Sequence, residues 1–285
     1  MIDSHHHFWI YRPNEFDWLT DDMEALRRHF MPADLKAAAE PAGVSGVITV
    51  HAKRTREDTA WLLALAAQDP FIKGVVGWVP LKDAELGVIL DDLRKNPHFR
   101  GVREIIQGAP DDQFFTCPDF NRGIRELTVR QIPFDLLIFH DQLSSAIRFV
   151  DQHPNQQFIL DHIAKPEIRS TGAGNWNAQI RELAQRPNVC CKFSGVVTEV
   201  REPDWSIDLI RPYFDTVLEA FGPQRLMFGS DWPMCLQRAD YTRWVDTVKE
   251  LASSLSAAES EAFFSNTVQA AYALPVKPEV PEEAA

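Results

Sequence analysis

The sequence predicts an α/β fold, a single (β/α)8 barrel, on three observations: eight short apolar runs, stretches of helical periodicity between them, and a length that accommodates eight such units. The runs are 1–4, 44–50, 72–79, 99–105, 133–138, 157–160, 189–193 and 226–229, rich in Val, Ile and Phe. Their starts lie roughly 25 to 45 residues apart, room for a strand, a crossover helix and two loops, which parallel pairing requires. Near-continuous apolarity, as in Gly74-Val75-Val76-Gly77-Trp78-Val79, suits strands buried on both faces.

The segments between read as helices. Over 56–68, Thr59, Leu62, Leu63, Leu65 and Ala66 fall together on a 3.6-residue wheel, and Asp69-Pro70 stops the helix. Over 205–221, Ile207, Ile210, Phe214, Val217, Leu218 and Phe221 form the apolar face, and Gly222-Pro223 ends it. Residues 240–251 follow the last strand in the same way. An open doubly wound sheet is the alternative, but the first strand lacks the glycine-rich phosphate turn that fold often uses.

Division of 285 residues by a typical domain length suggests two domains, yet barrels of this type commonly fill about 250 residues as one. The expectation is one domain over 1–274, with a lid in the long connection 8–32. A tail over 275–285, carrying three prolines and three glutamates, reads as disordered. The 29 Lys and Arg against 41 Asp and Glu leave a net charge of −12, with no surplus of cations for a nucleic acid. No run approaches the roughly 20 apolar residues of a membrane span, and Asp3 with three histidines stands where a signal peptide would be basic and then apolar. A soluble, cytoplasmic protein is expected. Cys117, Cys190, Cys191 and Cys235 show no CxxC spacing and read as buried thiols.

A barrel places its chemistry at the C-terminal ends of its strands. The first ends Asp3-Ser4-His5-His6-His7-Phe8-Trp9. Alternation along extended chain turns His5 and His7 to one side, a metal half-site, and His6 to the wall. The second run ends at His51. The fourth carries Arg103-Glu104, readable either as site residues or as an ion pair at the rim. The fifth leads to His140-Asp141, where Asp141 reads best as a helix N-cap. The sixth gives Asp161-His162-Ile163-Ala164-Lys165. Three ionisable groups so close behind an apolar strand are costly unless paired or functional, so His162 is a candidate and Asp161 an orienting partner. Lys192 and Ser194 share a side of the seventh strand. Asp231, after Gly229-Ser230 on the eighth, lies across a closed barrel from His5 and His7, able to ligate metal and take a proton from water.

Five blocks in order, Ile2-Asp3-Ser4-His5-His6-His7-Phe8-Trp9, Gly101-Val102-Arg103, Leu160-Asp161-His162-Ile163-Ala164-Lys165-Pro166, Lys192-Phe193-Ser194-Gly195 and Gly229-Ser230-Asp231-Trp232-Pro233, resemble the amidohydrolase superfamily. Within it they are most similar to the amidohydrolase-2 branch of sugar-acid lactonases, in particular the L-fuconolactonase-like group. The resemblance runs from residue 1 to about 274. It implies hydrolysis of a lactone, a carboxylic ester, in a (β/α)8 barrel, with L-fucose degradation as the metabolic setting. His5, His7, His162 and Asp231 fall on positions that hold a divalent metal and its water in the wider superfamily. Zinc is the first candidate, although some lactonases of the branch work without metal. Glu104 stands where the group has histidine, and His51 where glutamine is usual.

The chemistry this implies needs a water nucleophile, a base, donors for the developing oxyanion and a proton for the departing ring oxygen. Asp231 is the expected base and His162 the acid. Trp9, His51, Arg103, Glu104, Lys165 and Trp232 are the expected substrate contacts, with Trp9, Tyr11 and Trp18 of the lid offering aromatic faces to a sugar ring. The expected partner is a small sugar lactone, with a homo-oligomer left open. Other readings are amide hydrolysis, aromatic acid decarboxylation, lactone isomerisation and a non-enzymatic binding module, which would need no base at Asp231.

Overall fold

In the computed structural model, which describes residues 1–275, eight parallel strands follow one another in chain order around a barrel. They are β1 (Ile2–His6), β2 (Gly46–Val50), β3 (Ile72–Gly77), β4 (Phe99–Ile105), β5 (Phe134–Leu137), β6 (Phe158–Leu160), β7 (Val189–Phe193) and β8 (Leu226–Phe228). Eight helices cross between them on the outside: α1 (Pro32–Ala39), α2 (Arg56–Gln68), α3 (Leu86–Leu93), α4 (Pro118–Val129), α5 (Leu143–Gln152), α6 (Trp176–Ala184), α7 (Ile207–Phe221) and α8 (Tyr241–Leu251). The tail expected over 275–285 lies, apart from Pro275, outside the described residues. Among the described residues no helix is long and apolar enough to cross a membrane.

Local chemistry sets the helix ends. Thr55 Oγ1 accepts from the Asp58 amide and Asp240 Oδ1 from the Arg243 amide, each satisfying an N–H that the first turn leaves free. The seventh helix begins at Ile207 rather than Trp205, because the Trp205 indole is tied to the Arg238 carbonyl at 2.8 Å and lies under the Arg243 guanidinium. Asp141 is not the cap expected of it: it is exposed. The Gln142 amide instead accepts from Phe139 N and Gly108 N and donates to Ile106 O and Ala109 O. Gln142 has both a donor and an acceptor end, which a carboxylate lacks, and so joins two loops. Cys191 and Cys235 are buried; Cys117 and Cys190 are half-buried, and all four thiols are free.

The barrel closes between its first and last strands. Asp231 N donates to His5 O at 2.8 Å and His7 N to Trp232 O at 2.7 Å. Below them the buried Asp3 carboxylate gathers the Ser230 amide, the His5 amide and the Tyr241 hydroxyl. Burial raises the Asp3 carboxyl to about 6 against the pull of those hydrogen bonds. Gly229 is required at this seam: a Cβ there would sit 2.7 Å from Ser194 Cβ and 3.1 Å from His5 Cβ.

The opposite mouth is plugged by two short helices after α8, α9 (Ala257–Glu261) and α10 (Thr267–Ala271), joined by a π turn over Ala262–Asn266. Tyr272, just beyond α10, packs with Ile48, Val76, Ile159 and Met227, and its hydroxyl donates to Asp135 on β5. The Tyr272→Phe variant removes a donor from a fully buried carboxylate, and we expect it to cost about 1–3 kcal/mol in denaturant unfolding. An unchanged midpoint would show that the bond contributes nothing.

Candidate active site

The strand ends bring four groups to one point. His5 and His7 alternate out of β1, His162 follows β6, and Asp231 follows β8. His5 Nε2 and His7 Nε2 are 3.3 Å apart, and Asp231 Oδ1 lies 3.4 Å from His7 Nε2, 3.8 Å from His5 Nε2 and 4.0 Å from His162 Nε2. His6 points into the wall, its Nε2 on the Thr49 hydroxyl and its ring edge-on to Phe8.

Second partners place the imidazole protons. A carbonyl only accepts, so His7 Nδ1, 2.8 Å from Val50 O, and His162 Nδ1, 3.1 Å from Ser194 O, carry their hydrogens there and leave Nε2 bare. His5 Nδ1 faces both the Asp161 carboxylate and the Lys192 ammonium, each at 3.2 Å. The donor-only Arg103 at 3.4 Å from His5 Nε2 breaks that tie and makes Nε2 the acceptor. Three lone pairs therefore converge on a buried carboxylate oxygen that has no hydrogen-bond partner. Such a set is stable only around a cation or a shared proton. His5, His162 and Asp231 have ligand atoms within 4.8 Å of one another, as a metal ion needs. His7 stands beside that trio.

Burial lowers His162 to about 4, against the attraction of Asp231 and Asp161, so it is neutral at physiological pH. Burial works to raise the Asp231 carboxyl, but a proton shared with its imidazole neighbours, His162 first, outweighs it and holds the carboxyl below the usual carboxylate range. The backbone that presents these groups is strained. His162, Ile163, Ala164 and Lys165 have φ of 54°, 50°, 62° and 47°, and Asp231 has 58°. A left-handed residue costs about 1–2 kcal/mol, more for β-branched Ile163. The Trp176 indole, donating to Ile163 O at 2.8 Å, helps hold the turn in place.

Behind the imidazoles is a buried layer of charge that the sequence reading reached only in part. Lys192 bonds Asp135 and stands 3.0 Å from Asp161; Arg103 reaches Asp161 at 3.6 Å and the His51 carbonyl. Burial pushes the Asp135 carboxyl up to about 6 despite Lys192, whereas Lys192 and His5 hold Asp161 well below its ordinary value against the same burial. Neither Asp135 nor Asp3 was assigned a role at the site. Their one signal was a carboxylate inside an apolar strand.

Four expected substrate contacts are turned into the protein. Trp9 is 1% exposed, packed on Phe16 and Phe30 with its indole on Arg28 O, and Trp232 is 2% exposed against Phe8 and Phe30. These indoles anchor the lid, because a large apolar ring gains more from burial than from facing water. His51 donates from Nδ1 to the Lys53 carbonyl at 3.0 Å and its Nε2 accepts from Arg103 Nε at 3.4 Å. Glu104 pairs with Arg54 and not with its neighbour Arg103, which points to the opposite side of β4. Arg103 and the partly open Lys165, 3.9 Å from Glu199, remain near the centre. The ends of the 8–32 connection are clasped by the Trp9–Phe30 bridge, and Lys53 reaches across to Glu15 in it. Trp18 is its exposed aromatic, 44% accessible.

An amidohydrolase family model matches residues 2–274. This chain belongs to the amidohydrolase family. The amidohydrolase is similar to the L-fucono-1,5-lactonase of Burkholderia multivorans, with 38% identity and 96% of both chains covered, and to that of Burkholderia ambifaria, with 34% identity over 86% of this chain and 85% of that one. A crystal structure of an amidohydrolase from Burkholderia multivorans with bound zinc superposes with a TM-score of 0.92 at 38% identity, covering 96% of this chain and 99% of that chain.

The site of this amidohydrolase has no room to spare at Gly195, φ +63°, where a Cβ would lie 2.7 Å from Asp231 Oδ2 and 2.8 Å from His162 Nδ1. Gly195→Ala should therefore displace both groups and lower kcat by about 100-fold, through a misplacement of the order of 1 Å. Turnover at the wild-type rate would show that the cluster tolerates the shift.

Proposed function

We propose that the protein hydrolyses a sugar-acid lactone, an aldono-1,5-lactone of the L-fucono type, by attack of an activated water with Asp231 as general base. One observation carries the reading: a buried, unpartnered carboxylate oxygen facing three bare imidazole nitrogens at the C-terminal end of a barrel. The lactonase relatives at 38% and 34% identity supply the substrate class.

The donor set suits a divalent cation, since it is neutral imidazole nitrogen with carboxylate oxygen and its one orphaned atom points into the cluster. His5, His162 and Asp231 would hold the ion, with His7 beside them, and zinc is the metal such ligands favour. When bound, it supplies a Lewis acid for the lactone carbonyl and a lowered pKa for water.

The chain's own groups do the rest. Asp231, kept ionised by its imidazole neighbours, takes the proton of the attacking water. Arg103 is a donor-only cation, 4% exposed, fixed by His51 O and Asp161 and directed at the oxyanion. His162 is neutral with its hydrogen on Nδ1, so it enters the reaction as an acceptor at Nε2. In a metal-free route that Nε2 receives the proton Asp231 takes from the water and passes it to the departing ring oxygen; with an ion held on Nε2, the protonated Asp231 would deliver that proton itself. Lys165, the open cation of the β6 turn, meets the substrate's hydroxyl groups.

Asp231→Asn should keep the fold and lose about 1,000-fold in kcat. Retained turnover would overturn its role as base. A panel of aldonolactones followed by acid release tests the reaction itself. Conversion without acid points to isomerisation, and activity confined to amides or carboxylated aromatics overturns the lactone reading. Removal of metal by chelation should abolish activity and zinc should restore it; full activity in metal-free protein would sink the metal-assisted route.

A further inference from the structure

A wide cleft opens not over the imidazole cluster but beside it, between the 8–32 connection and the start of α2. It holds about 780 Å3 and is lined by Ile10, Trp18, Lys53, Arg54, Trp61 and Ile105. Ile10 and Trp18 are two of the four large apolar side chains that stand exposed among the described residues. Exposed apolar surface gathered in a concavity marks a binding face rather than a packing accident. The cleft adjoins the catalytic centre through the chain itself. Its Lys53 carbonyl meets His51, whose Nε2 is 3.4 Å from Arg103 Nε.

The cations of this cleft are not equivalent. Arg12 and Lys53 are both spent on Glu15. Arg54 is held differently: only its Nε is engaged, 2.8 Å from Glu104 Oε1, and its two terminal nitrogens carry no hydrogen bond to the described residues. Glu104 is itself locked. Its Oε1 also accepts from the Ile105 amide at 2.9 Å and its Oε2 from the Trp78 indole at 3.0 Å. A nearly buried carboxylate that holds two hydrogen-bond donors and an ion pair is a mount, not a ligand for a sugar. What it mounts is a half-exposed guanidinium with a planar pair of free donors.

We propose that Arg54, mounted on Glu104, is a specificity-determining residue that binds the hydroxyl groups of the lactone remote from the reacting carbonyl, with Trp18 and Trp61 as the apolar walls of that subsite. The proposal rests on the lactonase reading above and extends it. A polyhydroxylated ring presents adjacent oxygens to a two-pronged donor and C–H faces to aromatic rings, and this cleft offers both. A site built to hydrogen-bond hydroxyl groups discriminates strongly against an analogue that lacks them.

The test is the ratio of kcat/KM for an aldono-1,5-lactone to that for unsubstituted δ-valerolactone, in the wild type, Arg54→Ala and Arg54→Lys. Arg54→Lys keeps a cation beside Glu104 and so protects the fold, but loses the planar fork. We expect the ratio to fall about tenfold or more in both variants, chiefly through KM for the hydroxylated lactone. A merely structural lesion lowers both substrates together and leaves the ratio alone, which would overturn the subsite. If the wild type opens both lactones with an equal ratio, the subsite falls and the lactonase reading stands. If the wild type opens neither, the lactonase reading falls and takes the subsite with it.

Discussion

Everything at this site hangs on the seam where the first strand meets the last. His5 and His7 come from the first residues of the barrel and Asp231 from more than two hundred residues later. They face one another because Asp231 N is bonded to the carbonyl of His5 itself. The hydrogen bond that closes the barrel also sets the distance from the Asp231 carboxylate to the imidazoles. Asp3 reinforces it by holding amides from both sides, and Gly229 lets the two chains approach. The spacing of the cluster is a property of barrel closure rather than of a flexible loop.

The second constraint is electrostatic. Asp135, Asp161, Lys192 and Arg103 form a balanced buried set beneath the imidazoles, two anions and two cations. Desolvating four charges is expensive, and the arrangement does not earn its place through stability alone. Its effect is to fix the proton position of His5 and the direction of Arg103, work that an apolar layer of the same volume could not do.

The strands were legible because their apolar runs are bounded by turn residues; 99–105 and 189–193 coincide with β4 and β7. The gathering of His5, His7, His162 and Asp231 was legible too, since a barrel obliges strand ends to converge. What escaped depends on non-local packing. Nothing in Asp161-His162-Ile163-Ala164-Lys165 announces four left-handed residues in a row, a conformation imposed by surroundings. The lid tryptophans looked like sugar platforms because sequence gives aromatic identity but not which face is covered; Trp9 is buried and Trp18 is not. Glu104 was read as a substrate contact because two of its partners, Trp78 and Arg54, come from other segments of the chain.

The plug at the far mouth carries a consequence for how the site comes into being. Tyr272 follows all eight strands in the order of synthesis, yet its hydroxyl satisfies a carboxylate in the layer beneath the imidazoles. A nascent chain that has already closed its barrel holds Asp135 and Lys192 with that partner missing. The buried charge layer is therefore complete only once the C-terminal plug has docked, not as an automatic result of barrel closure. A chain stalled before α10 would contain every residue at the reaction centre and still present an unfinished electrostatic layer beneath it.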